Sequence, residues 1–256
     1  MIPSIDKLPE GKKIFFASDF HLGVPSYEKS LEREKKVVRW LDSIKDQAFA
    51  VLLVGDIFDF WFEYKHAIPK GFVRFQGKIA ELTDSGIPVY FFSGNHDMWM
   101  FDYFKKELNV PIFHKPQQFK VGNDSFYVGH GDGLGPKDYT YKLLKIFFRS
   151  PVCQWLFARI HPNLGIGIAD AWSKRSRISS SVKEDVFLGD NEWLLVYARE
   201  MQQQQKHNYY VFGHRHLPMD VPVDEQSKYV NLGEWVHHFT YAVYDGTELK
   251  LQTFES

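Results

Sequence analysis

The sequence predicts an α/β fold in which a parallel sheet is covered by helices and a second, more antiparallel sheet packs on the first. Two observations predict it. Through the first half of the chain, short runs rich in aromatic and β-branched residues alternate with charged, amphipathic stretches, the pattern of strand–helix–strand units. In the second half, short apolar runs follow one another across turn residues, the pattern of hairpins.

Residues 14–21 (IFFASDFH) form the first strand and its end. Residues 27–43, rich in Glu, Lys and Arg, carry Leu31, Val38 and Leu41 at helical spacing. VLLVGDIFD at 51–59 is the second strand, and residues 71–85 give a helix with Phe72, Phe75, Ile79 and Leu82 on one stripe before Gly86 ends it. VYFFSGNHD at 89–97 is the third strand. Residues 119–121 and 125–128 flank Gly122, Asn123 and Asp124 as a hairpin, which runs on into FYVGHGD at 126–132. YYVFGHRH at 209–216 is another buried strand, and 229–231, 240–244 and 249–254 are short strands, the last two turning at Asp245 and Gly246. The polar run 202–205 belongs to a solvated helix end.

A chain of 256 residues fits one domain with a full core, 1–256, carrying an insertion. Its net charge of −1 excludes a generally basic nucleic-acid binder. The one cysteine, Cys153, excludes an internal disulfide and reads as a small core residue of a reducing compartment. No stretch reaches the ~20 apolar residues of a membrane span, and the amino terminus lacks a signal-peptide pattern. The expected location is cytoplasmic, at most peripheral on a membrane.

Five of the apolar runs end on metal-ligand residue types. Ligands bind in the crevice beyond strand ends, so five such loops side by side bring together Asp19, His21, Asp56, Asn95, His130, His214 and His216. Carboxylate, imidazole and amide without thiolate suit two borderline divalent cations, Mn²⁺ first, with Fe²⁺, Zn²⁺ or Co²⁺ also fitting. Two such ions ~3.5–4 Å apart lower the pKa of a shared water and neutralise a phosphoryl group under in-line attack. His96 is expected to protonate the leaving oxygen or stabilise the transition state, with Asp97 orienting its imidazole.

Residues 137–177 differ from the rest. Eight basic residues stand against Asp138 and Asp170, a charge of +6 that leaves −7 for the remainder, and large apolar residues are interleaved with them. The expected structure is a helical insertion over the site; the alternative is an oligomer interface.

SDFHLG, GDIFD, GNHD, GHGD and GHRH, in that order, closely resemble the calcineurin-like metallophosphoesterases from about residue 14 to residue 245. The resemblance implies a four-layer α-β-β-α sandwich, two packed mixed sheets flanked by helices, with a dinuclear site. It implies one metal on Asp19, His21, Asp56 and His216 and a second on Asp56, Asn95, His130 and His214, with Asp56 bridging. More narrowly, Trp61, Gly131, Asp132, Asp138, Tyr141, Gly233 and Trp235 resemble the UDP-2,3-diacylglucosamine pyrophosphatases of lipid A synthesis. That resemblance implies a helical cap at 137–181 sheltering acyl chains, hydrolysis to UMP and 2,3-diacylglucosamine 1-phosphate (lipid X), and a site on the inner face of a bacterial membrane. Asp138 and Tyr141 match substrate-contacting positions, and Ser173, Lys174 and Arg177 fall in their neighbourhood. The chain departs in carrying His96 where many of that group have Arg, and GDGLGPKD without Cys-Thr-Asp after His130. Other readings are another phosphomonoesterase or phosphodiesterase of the superfamily, which His96 favours, and a non-catalytic binding scaffold, against which the seven ligands stand. A nuclease fits less well, because the basic window is interleaved with aliphatic residues suited to lipid rather than to base stacking.

Overall fold

The computed structural model describes residues 1–136, 139–169, 171 and 186–255. Strands β1 (Lys13–Ala17), β2 (Ala48–Val54), β3 (Val89–Phe92), β4 (Ile112–Phe113), β10 (Thr240–Tyr244) and β11 (Leu249–Thr253) form a six-stranded sheet ordered β11-β10-β1-β2-β3-β4. A five-stranded sheet ordered β5-β6-β7-β9-β8 is built from β5 (Gln117–Val121), β6 (Asp124–Val128), β7 (Tyr209–Phe212), β8 (Pro218–Pro222) and β9 (Lys228–Leu232).

Alternation along the strands decides what fills the layers. Ile14 and Phe16 of β1, with Leu52 and Val54 of β2, point between the sheets and meet Phe126, Val128, Val211 and Val230 of the second sheet. Phe16 stacks on Phe126 with ring centroids 6.0 Å apart. The intervening residues Phe15, Ala17, Val51 and Leu53 face outward onto helices α1 (Tyr27–Ile44), α2 (Val73–Asp84) and α3 (Tyr103–Leu108). On the opposite face, Tyr127, Tyr210, Phe212 and Tyr229 pack against Leu194, Leu195 and Ala198 of a helix at Trp193–Gln204. The result is the four-layer α-β-β-α sandwich.

Helix α1 starts on Ser26, whose hydroxyl accepts from Lys29 N, and buries Val37, Trp40, Leu41 and Ile44. Helix α2 has Phe72 in its cap position and no side-chain cap of its own. The carboxylate of Glu34 on α1 supplies one, accepting from Arg74 N at 2.8 Å and Phe75 N at 3.1 Å. Charge pattern on one helix thus sets the start of the next.

The expectation that the later strands form the second sheet is corrected for β10 and β11, which join the edge of the first. Antiparallel register pairs Ile14 with Tyr244 and Phe16 with Ala242, which carries Tyr244 and Ala242 into the layer between the sheets. The second sheet is evenly mixed, with β6-β7 and β7-β9 parallel and β5-β6 and β8-β9 antiparallel, whereas three of the five pairs in the first are parallel. Between β9 and β10 the chain changes sheet, and Trp235 fills the crossing, its ring 5.0 Å from Trp40 and 5.2 Å from Phe20.

Between β6 and β7 lie α4 (Tyr139–Arg149), α5 (Pro151–Phe157) and α6, helical over 162–169, before the Trp193–Gln204 helix, α7. Phe148 and Phe157 pack on Phe62, Met98 and Trp99 of the loops after β2 and β3, and Trp99 Nε1–H donates to the Phe148 carbonyl at 2.8 Å. The helices therefore sit against the loops at the carboxyl ends of the parallel strands.

Candidate active site

The loops after β1 and β2 run side by side: Asp19 N donates to Gly55 O at 3.0 Å, His21 N to Asp56 O at 2.9 Å and Leu22 N to Ile57 O at 3.0 Å. Of the eight non-glycine residues with positive φ among the described residues, five are Asp19, His21, Asp56, His214 and His216. Left-handed backbone in such residues costs on the order of 1–3 kcal/mol each and persists only where the surroundings enforce it. Here it turns the chain at each strand end so that the side chains converge. The adjoining glycines permit close approach: a Cβ on Gly94 would lie 2.1 Å from Asp56 Oδ1, and one on Gly213 2.5 Å from Asp19 Oδ2.

Asp19, His21, Asp56 and His216 form one group whose donor atoms lie within 4.8 Å of one another, and Asp56, His130 and His214 form a second. In the first, His21 Nε2 is 3.1 Å from His216 Nε2, and His216 Nε2 is 3.2 Å from Asp19 Oδ1. In the second, His130 Nε2 is 3.3 Å from both Asp56 Oδ2 and Asn95 Oδ1, and the His130 and His214 rings are 5.2 Å apart. Asp56 belongs to both groups.

The donor set fits divalent ions. Donors ~2.1 Å from a shared ion and at right angles are ~3 Å apart, the spacing of the facing imidazole nitrogens. Asp19 Oδ1 is buried without a formed hydrogen bond and points at them. His130 Nδ1–H donates to Val54 O at 2.8 Å, which turns Nε2 toward Asp56.

Electrostatics agree. Burial works against charge on Asp56, yet the His130 and His96 charges hold its carboxyl well below the ordinary range. Asp19 is likewise lowered, its burial outweighed by His216, whose Nε2 lies 3.2 Å from Oδ1, and by the charge of His130. His130 is pushed up to about 10, since Asp56 overcomes its burial, while burial and His130 drive His214 down to about 4. The buried carboxylates thus require a cation, and a divalent ion competes with the proton that His130 otherwise holds.

The structure places Asp97 differently from expectation. Its buried carboxylate accepts from Gly94 N at 2.7 Å and Ile57 N at 2.8 Å, joining the GNHD loop to the GDIFD loop. Burial, then the neighbouring Asp56, pushes its carboxyl up to about 7. His96 Nδ1 instead lies 3.0 Å from Asp59 O and 3.6 Å from Asp59 Oδ1, and that same oxygen is 3.5 Å from His21 Nδ1. Sequence reasoning assigned Asp59 no role, although a second carboxylate three residues after Asp56 in the same loop was the available signal. We expect Asp59→Asn to weaken metal binding through His21 by ~10–100-fold and to lower turnover through His96. Metal titration and kcat check this; parent values for both would remove Asp59 from the site.

Tyr141 comes to the site from α4. Its hydroxyl donates to Asp132 Oδ2 at 2.7 Å, Lys145 Nζ lies 2.6 Å from the same oxygen, and the Tyr141 ring is 6.4 Å from that of His214. Asp138, Ser173, Lys174 and Arg177 lie outside the described residues. Arg215, between two candidate ligands, is buried and paired with Glu192, its Nε 3.1 Å from Oε1, which fixes the GHRH loop against the start of α7.

Residues 12–218 match the Calcineurin-like phosphoesterase family. The chain belongs to that family. A Porphyromonas gingivalis protein named UDP-2,3-diacylglucosamine hydrolase is 36% identical over 260 residues, 95% of this chain and 98% of its own length. Proteins of the same name from Vibrio atlanticus and Histophilus somni are 26% and 24% identical, covering 95% and 88% of this chain and 98% and 92% of theirs. The calcineurin-like fold and the His/Asp clusters together make this chain a metallophosphoesterase that uses divalent ions.

Proposed function

We propose that this calcineurin-like phosphoesterase hydrolyses the pyrophosphate of UDP-2,3-diacylglucosamine, releasing UMP and 2,3-diacylglucosamine 1-phosphate. The observation that carries this reading is the 36% identity to a protein of that name over nearly the whole of both chains. Asp19, His21, Asp56 and His216 would hold one ion and Asp56, Asn95, His130 and His214 the other, Mn²⁺ being the first choice. Bound there, the ions supply Lewis acidity to the phosphoryl oxygens and a lowered pKa for attacking water.

The chain's own groups do the rest. Asp56 is held in place by the His96 main-chain N–H, 2.9 Å from Oδ1. The His96 ring, braced by Asp59, stands edge-on to His21 at 5.0 Å and is proposed to protonate the leaving oxygen or to stabilise charge on the phosphoryl group. Asp97 is proposed to keep the two loops in register rather than to touch the ring. Within a single domain, residues 137–181 are proposed as a cap, with Tyr141 and Asp138 contacting the sugar phosphate and Ser173, Lys174 and Arg177 nearby.

The described helices support that role. Leu143, Ile146 and Phe147 on α4 are exposed, as are Val152, Trp155 and Leu156 on α5. Positions 143, 146 and 147 share one helix face, and so many large apolar side chains in water mark a surface for lipid. The same surface suits peripheral contact with the inner face of a bacterial membrane; no helix among the described residues is long and apolar enough to cross one.

Phe148 packs in the base of the insertion, so the informative variant is Leu143→Asp with Phe147→Asp. Holding ~4 methylenes contributes ~3 kcal/mol, over ~100-fold in binding. We expect kcat/KM on the diacylated substrate to fall by that order while a small chromogenic phosphodiester is hydrolysed as before. An unchanged ratio would favour another phosphoesterase activity of the family, the reading to which His96 points.

A further inference from the structure

A groove of about 900 Å³ lies between α1 and the loop joining β9 to β10, and none of the described residues of the insertion lines it. That volume lies within the range of small-molecule sites. Lys29, Arg33, Lys36 and Arg39, spaced four, three and three residues apart on one face of α1, line it with His237 and Phe239; Glu32 is the one carboxylate among the described residues of its wall. In a chain of net charge −1 this is a concentrated positive surface.

Local structure sorts the charges of α1. Glu34 is buried and caps α2, and Glu28 takes the Ser26 hydroxyl at 2.9 Å, so neither lines the groove. Arg33 is 6% exposed, and its guanidinium donates to His21 O at 2.6 Å and to Val24 O. Lys36 Nζ stands 3.5 Å over the Phe239 ring, which holds a cation on the groove wall where it can meet a phosphate.

The groove is one loop away from the metal-ligand cluster. Arg33 bonds the carbonyl of His21, and Trp235 N donates to Asp19 O at 3.1 Å. The cluster has two ends: Asp19 and His21 back onto the groove, whereas His214 faces Tyr141 of the insertion, with Asp56 between. The groove and the apolar surface of α4 and α5 therefore lie toward different ends of the cluster.

We propose that this groove holds the nucleotide half of the substrate, a pyrimidine nucleoside phosphate, while the acylated sugar lies toward α4 and α5. The assignment rests on the reading of function above. The test uses the full chain with Mn²⁺ and the paired replacement Lys36→Glu with Arg39→Glu. UMP, uridine and inorganic phosphate are titrated calorimetrically, and kinetics are measured on UDP-2,3-diacylglucosamine and on the small phosphodiester.

Losing charge-assisted contacts is expected to weaken UMP binding, and to raise KM for the nucleotide sugar, by about tenfold or more, with kcat, phosphodiester hydrolysis and phosphate affinity retained. Lys36→Arg with Arg39→Lys should restore both. Unchanged UMP affinity in the Glu variant would overturn the proposal. So would an equal loss for inorganic phosphate, or a loss of binding only to anionic phospholipid vesicles, since each makes the groove a charge site without a nucleotide. If the parent leaves UDP-2,3-diacylglucosamine intact but the variant still loses UMP selectively, the function is wrong and the groove assignment stands.

Discussion

Asp56→Asn is expected to empty both halves of the ligand cluster and to cut turnover by ~10³-fold or more. The side chain is buried and shared between two donor groups, and His130 Nε2 lies 3.3 Å from its Oδ2. An amide at that position keeps the shape and removes the negative charge on which both groups converge. Lewis-acid stabilisation is worth several kcal/mol, and about 4 kcal/mol is already ~10³-fold. The fold should survive, because asparagine keeps the shape and the oxygen that accepts the His96 main-chain N–H, and His130, whose extra proton is favoured by Asp56, can become neutral once that charge is gone. Metal analysis on the folded variant decides the matter; two tightly held ions per chain would refute the shared role.

His96→Ala is expected to lower turnover by ~10²–10⁴-fold, the range for a lost general acid, with metal content unchanged. The division follows from where the residue makes its bonds. Its main-chain N–H holds Asp56 Oδ1 and remains in alanine, whereas the ring, 17% exposed and gathered with His21 and Asp59 to one side of the two ligand groups, is what the variant loses. Loss of an ion would make His96 a ligand, and parent turnover would remove it from the chemistry.

Much of the site was legible because its parts are local. Asp19 with His21, and His214 with His216, each sit two residues apart at a strand end, so the two side chains of each pair emerge together wherever that strand lies. Asn95 and His130 were legible for the same reason, each following a glycine after an apolar run. Second-sphere partners were not. Asp97 is adjacent to His96 in sequence, yet its carboxylate turns to the main chain of Ile57, and the ring meets Asp59 from another loop. Adjacency in sequence carries no information about contacts made between loops.

The fold shows the same division. The extents of α1 and α2 followed apolar spacing, but the sheet chosen by β10 and β11 depends on whether Ala242 and Tyr244 find a partner in β1 or in β9, a long-range competition. Strands β4 and β8 were missed; β4 has two residues, and β8 begins and ends in proline. In the insertion, composition announced apolar surface, but only packing separates Phe148, set against Trp99, from the exposed Phe147.

On the proposed function, two ions on this ligand set support cleavage of a nucleotide-linked diacyl sugar at its pyrophosphate. Mass spectrometry of the products formed from UDP-2,3-diacylglucosamine with Mn²⁺ tests it most directly. UMP and 2,3-diacylglucosamine 1-phosphate in equal amounts, abolished by chelator and in Asp56→Asn, is the expected result. Intact substrate in the presence of Mn²⁺, from protein that hydrolyses simple phosphate esters, would contradict it.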